Sequence, residues 1–97
     1  MTESKLISRV ELLRVLEVDD GFLVSLEQEQ IVVGDPGGNF TPEMVERIRV
    51  CLSLYDLGVN LAGLDVALRL LDTIAAQRRQ FREVLGWVRQ QLDDQPG

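Results

Sequence analysis

The chain has 97 residues, of which 45% are hydrophobic and 27% charged, with a formal net charge of −6, no histidine and one cysteine. This length and composition are typical of one small globular domain. The absence of histidine excludes Ser-His-Asp and Cys-His catalytic groups and a histidine-ligated zinc, and a single cysteine excludes an internal disulfide. We therefore expect a protein that is not an enzyme and that holds no metal or other cofactor.

The sequence also bears on location. It contains no apolar run near the roughly 20 residues that cross a bilayer, and its first residues lack the basic start and apolar stretch of a signal peptide. A lone cysteine suits a reducing compartment. We expect a cytoplasmic protein without membrane contact and without a small-molecule substrate.

Charge is distributed unevenly along the chain. Residues 1–46 hold ten acidic and three basic side chains, whereas residues 47–97 hold six acidic and seven basic ones. No basic side chain lies between Arg14 and Arg47. A surface of this sign repels phosphate and attracts basic partners. The alternative is that the acidic residues only keep a small protein soluble.

The first two predicted elements are short helices joined by a tight turn. Ser8 and Glu11 form a capping box ahead of apolar residues at helical spacing, which predicts a helix over about 9–17. A second helix over roughly 21–29 follows, with Asp20 as its expected cap. Two short helices in this arrangement make a helix-turn-helix.

A small β wing is predicted next. Ile31–Val33 has the β-branched composition of a short strand, and residues 34–39 are dense in turn-forming residue types. Phe40 is then placed to pair back across the turn as a hairpin.

The rest of the chain is predicted to be helical. Thr41 and Pro42 start a third helix over about 42–57, which ends at Gly58. From Ala62 to Leu92 there is no proline, which predicts one long helix, or two with a slight break, capped by Asn60.

The long helix has a coiled-coil register. With Leu64 at heptad position a, eight of the nine a and d positions up to Leu92 are apolar, and Arg78 is the exception. Beyond about residue 75 the domain has too little other sequence to cover these side chains. A coiled-coil homodimer is predicted, with folding back onto the same chain as the alternative. The expected dimerisation residues are Leu71, Ile74, Arg78, Phe81, Leu85, Val88 and Leu92.

The order of these elements resembles the MerR-type winged-helix domain, and within that superfamily the chain is similar to the CbpM-type chaperone modulators. The similarity covers about residues 5–92; it is carried by Asp56–Ile74, most specifically Val66–Ile74, and by Ile31–Val33. It implies a mainly α fold, with a MerR-like winged helix-turn-helix domain and small β wing in residues 1–60. Residues 61–97 would form the long C-terminal dimerisation helix, paired antiparallel.

The resemblance also implies a function. Proteins of this group bind the J-domain of a DnaJ-like co-chaperone and inhibit its stimulation of Hsp70, at a J-domain surface rich in Lys and Arg. We expect this contact at the acids clustered near the helix-turn-helix, which are Glu17, Asp19, Asp20, Glu27 and Glu29. Asp56, Asp65 and Asp72 are the alternative acids.

The other candidate function is that of a MerR-family DNA-binding transcriptional regulator. DNA readers of this fold carry basic residues on the second helix and the wing. Here Asp20–Gln30 and Val33–Phe40 contain no basic residue and four acidic ones. Because phosphate contacts supply nearly all non-specific affinity for DNA, this alternative is less favoured.

Overall fold

The computed structural model describes residues 5–93, so the predicted segments 1–60 and 61–97 lie partly outside the described residues, at 1–4 and 94–97. The helices, in chain order, are α1 (Arg9–Leu16), α2 (Asp20–Gln28), α3 (Pro42–Asp56) and α4 (Leu61–Asp93). Within the described part, β structure is limited to one isolated antiparallel bridge between Ile7 and Phe40. The fold is mainly α, as the sequence predicts.

Polar side chains fix the starts of three helices. The side-chain oxygens of Ser8, Thr41 and Asn60 each accept a hydrogen bond from the backbone N–H three residues on, at 3.2, 3.2 and 2.8 Å. These caps were predicted and are confirmed. The start of α2 differs, because its N-cap is Asp19 rather than Asp20 and the Asp19 side chain makes no capping hydrogen bond. The predicted cap is therefore wrong by one residue.

The segment between α2 and α3 also differs from the prediction. Ile31–Val33 does not form a strand. Ile31 and Val32 are instead buried in the core, at 3% and 1% exposure, and the N–H of Ile31 donates to the carbonyl of Leu26 at 2.9 Å. Ile31 and Val32 therefore pack into the core instead of forming a strand, because burial of their side chains is favourable and an isolated two-stranded hairpin is only marginally stable in water.

The predicted wing turn closes without a hairpin. The Asp35 carboxylate accepts from the N–H of Asn39 at 2.8 Å, and the Asp35 N–H donates to the carbonyl of Asn39 at 2.8 Å. Phe40 does not pair across this turn. It exchanges two backbone hydrogen bonds of 2.8 Å with Ile7, which brings its ring into the core.

One hydrophobic core joins α1, α2 and α3 to the first turns of α4. Its fully buried side chains are Leu12, Leu23, Leu26, Val32, Phe40, Ile48, Cys51 and Leu64. Full burial of a large apolar side chain contributes about 1.5–3 kcal/mol. Cys51 is a core residue, as expected, and burial raises the pKa of its thiol, which makes it unreactive.

Only the beginning of α4 belongs to this core. The last fully buried side chain on it is Leu68, and every residue from 69 to 93 is exposed except Ala76, which is half-buried. The helix runs without a break for 33 residues, about 50 Å. A compact chain of this length has a radius of gyration of about 13 Å, whereas this one measures 18.3 Å. Residues 5–68 are called the globular region below, and residues 69–93 the protruding half of α4.

Arg47 links α3 to the start of the protruding half of α4. From α3 its guanidinium donates to the backbone carbonyl of Ile31 and, through both terminal nitrogens, to the Asp72 carboxylate at 2.8 and 3.1 Å. The hydrogen bond from Arg47 lowers the pKa of Asp72. Asp72 lies one turn beyond Leu68, so this ion pair joins α3 to the first turn of the protruding half.

None of the helices in residues 5–93 has both the length and the apolar character needed to cross a membrane.

Candidate interaction surfaces

Arg9 forms ion pairs with two of the five predicted partner-binding acids. Its Nε donates to Asp20 and one terminal nitrogen donates to Glu27, both at 2.8 Å. Arg9 is the first residue of α1 and both carboxylates lie on α2, so the cluster holds the two helices together. No local sequence pattern indicates this cluster, because the partners are 11 and 18 residues away from Arg9.

The other three predicted acids, Glu17, Asp19 and Glu29, are exposed and form no ion pair within residues 5–93. Glu17 and Asp19 lie in the turn between α1 and α2, and Glu29 caps the far end of α2. The nine residues of α2 separate Asp19 from Glu29, a distance of about 15 Å along the helix axis. Within residues 5–93, these three unpaired carboxylates therefore lie near the two ends of α2.

The alternative acids have different surroundings. Asp65 accepts a hydrogen bond from Arg69 at 3.1 Å, and Asp72 is held by Arg47. Asp56, the last residue of α3, is exposed and forms no ion pair in the described chain. Of these three acids, Asp56 alone retains an uncompensated charge there.

An aromatic pair lies beside the acidic turn. Phe22 on α2 and Tyr55 on α3 have ring centroids 4.8 Å apart with their planes at 53°. Tyr55 is 52% exposed. The pair joins residues 33 positions apart, which sequence periodicity within one helix does not reveal.

The seven predicted dimerisation residues all lie on the protruding half of α4. Its apolar members range from 39% exposed at Val88 to 64% at Phe81. Three- and four-residue spacings place them in one row along the helix, with Arg78 within the row. This half does not fold back onto the core in the structure, so the alternative considered from the sequence does not apply to residues 69–93.

Basic side chains flank the apolar row. Arg78, Arg79 and Arg82 lie on the same stretch of α4 as Leu71 and Ile74. None of the three arginines forms an ion pair within the described chain. The protruding half is therefore both apolar and positively charged.

No protein-family model, curated protein or solved structure matches this sequence. Within residues 5–93, no group of three or more metal-ligating side chains is placed to hold a metal ion. Two surfaces remain on which to base a function, the acidic surface of α1 and α2 and the apolar row of α4.

Proposed function

We propose that the protein is a non-catalytic cytoplasmic adaptor that binds the J-domain of a DnaJ-like co-chaperone and prevents it from stimulating Hsp70. The observation that carries the proposal is that Glu17, Asp19 and Glu29 are exposed and form no ion pair within residues 5–93, in a stretch without any basic side chain between Arg14 and Arg47. A J-domain surface rich in Lys and Arg is electrostatically complementary to it. An adaptor bound at this surface of the J-domain would cover the residues through which the J-domain acts on Hsp70.

In this proposal, α1 and α2 form a MerR-like helix-turn-helix domain, and the turn over residues 35–39 takes the place of the wing. In a DNA-binding member of that fold, the second helix and the wing hold phosphates. Here both segments lack basic residues, so the proposal assigns this face to a basic protein rather than to DNA.

The proposal also includes a homodimer formed through the protruding half of α4. Burying apolar surface contributes about 25 cal/mol per Å², and a monomer leaves the whole row from Leu71 to Leu92 in water. Replacing Leu85 and Val88 together by Ser should abolish association. Sedimentation equilibrium measures this, and a wild-type chain that stays monomeric at all concentrations would contradict the dimer.

The acidic surface is tested by charge reversal. The double variant Glu17→Lys, Glu29→Lys leaves the Arg9 cluster intact and should weaken J-domain binding roughly tenfold, mainly by slowing association. The probe is the isolated J-domain of the co-chaperone encoded in the same genome. Its affinity is measured by calorimetry, and its stimulation of Hsp70 ATPase is measured in parallel.

The matched control is Glu83→Lys, Asp93→Lys, which changes the net charge equally on the protruding half. Equal weakening by both double variants would mean a non-specific charge effect. If neither variant changes the affinity, the result would indicate that the J-domain binds at Asp56, Asp65 or Asp72 instead. Absence of J-domain binding by the wild type, with salt-sensitive binding to duplex DNA, would replace the adaptor by the transcriptional regulator.

A further inference from the structure

Tyr55 presents an aromatic ring at the surface of the globular region. It lies on the last turn of α3, is 52% exposed, and is the single tyrosine of the chain. Phe22 packs against the core, with its ring centroid 4.8 Å from that of Tyr55 and the two planes at 53°. This contact supports the Tyr55 ring and leaves much of the side chain open to a partner.

The end of α3 beside this ring favours a positive charge. The helix ends at Asp56, which is exposed and forms no ion pair within residues 5–93, and its last turn holds no basic side chain. The C-terminal end of a helix already carries a negative charge of about half an electron, and an acid placed there adds to it. Asp56 and the helix end therefore create a negative potential next to Tyr55 that no basic side chain of this turn offsets.

The start of α2 brings two further carboxylates to this region. Asp19 is the N-cap of α2, and its carbonyl accepts a hydrogen bond from the N–H of Phe22 at 3.1 Å, so Asp19 lies within one turn of the ring pair. Its carboxylate makes no capping hydrogen bond, and Glu17 precedes it by two residues. Because Phe22 contacts Tyr55, exposed acids from the start of α2 and the end of α3 lie near one pair of aromatic rings.

This combination of groups fits an arginine side chain. A guanidinium is planar and weakly hydrated, so it stacks on an aromatic face and still donates hydrogen bonds to carboxylates beside the ring. A lysine ammonium is compact and strongly hydrated, and it fits such a surface less well. An apolar partner would bury the carboxylates without hydrogen bonds, which is unfavourable, and an acidic partner would be repelled.

We infer that Tyr55 anchors the partner on the globular region by stacking on an arginine of the partner's basic surface, whose charge the carboxylates of Asp19 and Asp56 attract. This inference rests on the proposed function and specifies the chemistry of its contact. It places the contact across the start of α2 and the end of α3. Tyrosine and arginine are both enriched among the few residues that carry most of the energy of an interface.

The anchor is tested on the full chain by calorimetric titration with the isolated J-domain. Tyr55→Leu keeps an apolar side chain but removes the ring, and should raise the dissociation constant about 5- to 30-fold. Tyr55→Phe keeps the ring and should change the constant less than about threefold. The matched control is Trp87→Leu, which removes an aromatic side chain of similar exposure, 62%, from the protruding half and should change it less than about twofold.

An isotope label in the tyrosine ring reports on the contact directly, because Tyr55 is the single tyrosine. The NMR signals of this ring should shift when the J-domain is added. The same labelled chain is titrated with two short blocked peptides, one alternating glycine with arginine and the other alternating glycine with lysine. The arginine peptide should shift the Tyr55 signals more than the lysine peptide does at the same concentration.

The outcomes separate the inference from the proposal on which it rests. Selective weakening by Tyr55→Leu, with shifted ring signals, supports the inference. A J-domain that binds wild type and Tyr55→Leu equally, or that weakens equally with Trp87→Leu, overturns the anchor and leaves the proposed function standing. If the J-domain does not bind at all, the proposed function fails and the peptides decide. A larger shift with arginine then supports the arginine site, and equal or absent shifts overturn it.

Discussion

The two ends of α4 carry the same heptad pattern in opposite surroundings. Leu64 and Leu85 both occupy position a, yet Leu64 is fully buried against α3 and the core, whereas Leu85 is 44% exposed. The difference lies outside the helix, because only the first turns of α4 have α1, α2 and α3 beside them. An apolar heptad therefore identifies a face that needs a partner, and the rest of the fold decides whether that partner belongs to the same chain.

The largest expected effect tests this contrast directly. Leu64→Ala should lower the free energy of unfolding by about 2–5 kcal/mol, since it leaves a cavity in the core. Leu85→Ala, the same substitution at the same heptad position, should change the unfolding of the monomer by less than about 0.5 kcal/mol. Urea denaturation at low protein concentration measures both. Equal losses would mean that the protruding half is packed within its own chain.

The ion pair that joins the two regions comes next. Arg47→Ala removes the hydrogen bond to the buried Ile31 carbonyl and both bonds to Asp72, and should cost about 1–3 kcal/mol of unfolding free energy. Arg49→Ala, two residues along α3, removes only an exposed 3.7 Å contact with Glu46 and should cost less than about 0.5 kcal/mol. Similar urea midpoints for the two variants would mean that the contacts of Arg47 do not stabilise the fold.

A smaller effect concerns the acidic surface. Arg9→Ala should cost about 1 kcal/mol of stability, and it uncovers the carboxylates of Asp20 and Glu27. Binding of the J-domain should therefore strengthen a few-fold, the opposite direction from most surface truncations. Arg14→Ala is the control, because Arg14 makes only an exposed 3.9 Å contact with Glu11. Unchanged calorimetric affinity for Arg9→Ala would place the contact away from α2.

The smallest effect is a pH dependence at the boundary of the two regions. Because Arg47 lowers the pKa of Asp72 in the folded protein, the pair stabilises the fold above the pKa of an unfolded aspartate, about 4. This contribution is lost as the pH falls from there through the lowered folded pKa. Wild type should thus be more stable than Asp72→Asn at pH 7 and lose that advantage in acid. If urea denaturation gives the same stability difference between wild type and Asp72→Asn at every pH, the lowered pKa of Asp72 does not contribute to the stability of the fold.

Local sequence patterns predicted the helices well. Capping residues and heptad spacing depend on neighbours within one or two turns, so Ser8, Thr41 and Asn60 indicated helix starts that the structure confirms. The β run at Ile31–Val33 was predicted from composition alone, and tertiary burial overrode that propensity.

Long-range contacts were not predictable in the same way. Five acids near the helix-turn-helix looked equivalent in the sequence, yet the fold brings Arg9 against two of them and leaves Glu17, Asp19 and Glu29 uncompensated. The place of Arg47 between Ile31 and Asp72 depends on the packing of α3 against α4. The distribution of charge along the chain indicates that this surface is acidic. Only the fold distinguishes the carboxylates that are paired with Arg9 from those that form no ion pair within residues 5–93.

The length of α4 would also determine the valency of the proposed homodimer. In an antiparallel homodimer of the kind that the family resemblance implies, with Ile74 of one copy opposite Leu85 of the other, the two Leu64 positions would lie about 45 Å apart along the shared axis, with one acidic surface near each end. Such a dimer is a divalent ligand with a fixed span. A partner carrying two J-domains on a tether that reaches this far would bind with avidity, because the first contact raises the effective concentration of the second. A partner whose tether is shorter than this span could bind only one end of the dimer and would gain no avidity. The length of the helix would therefore distinguish paired J-domains that can reach both ends from single ones.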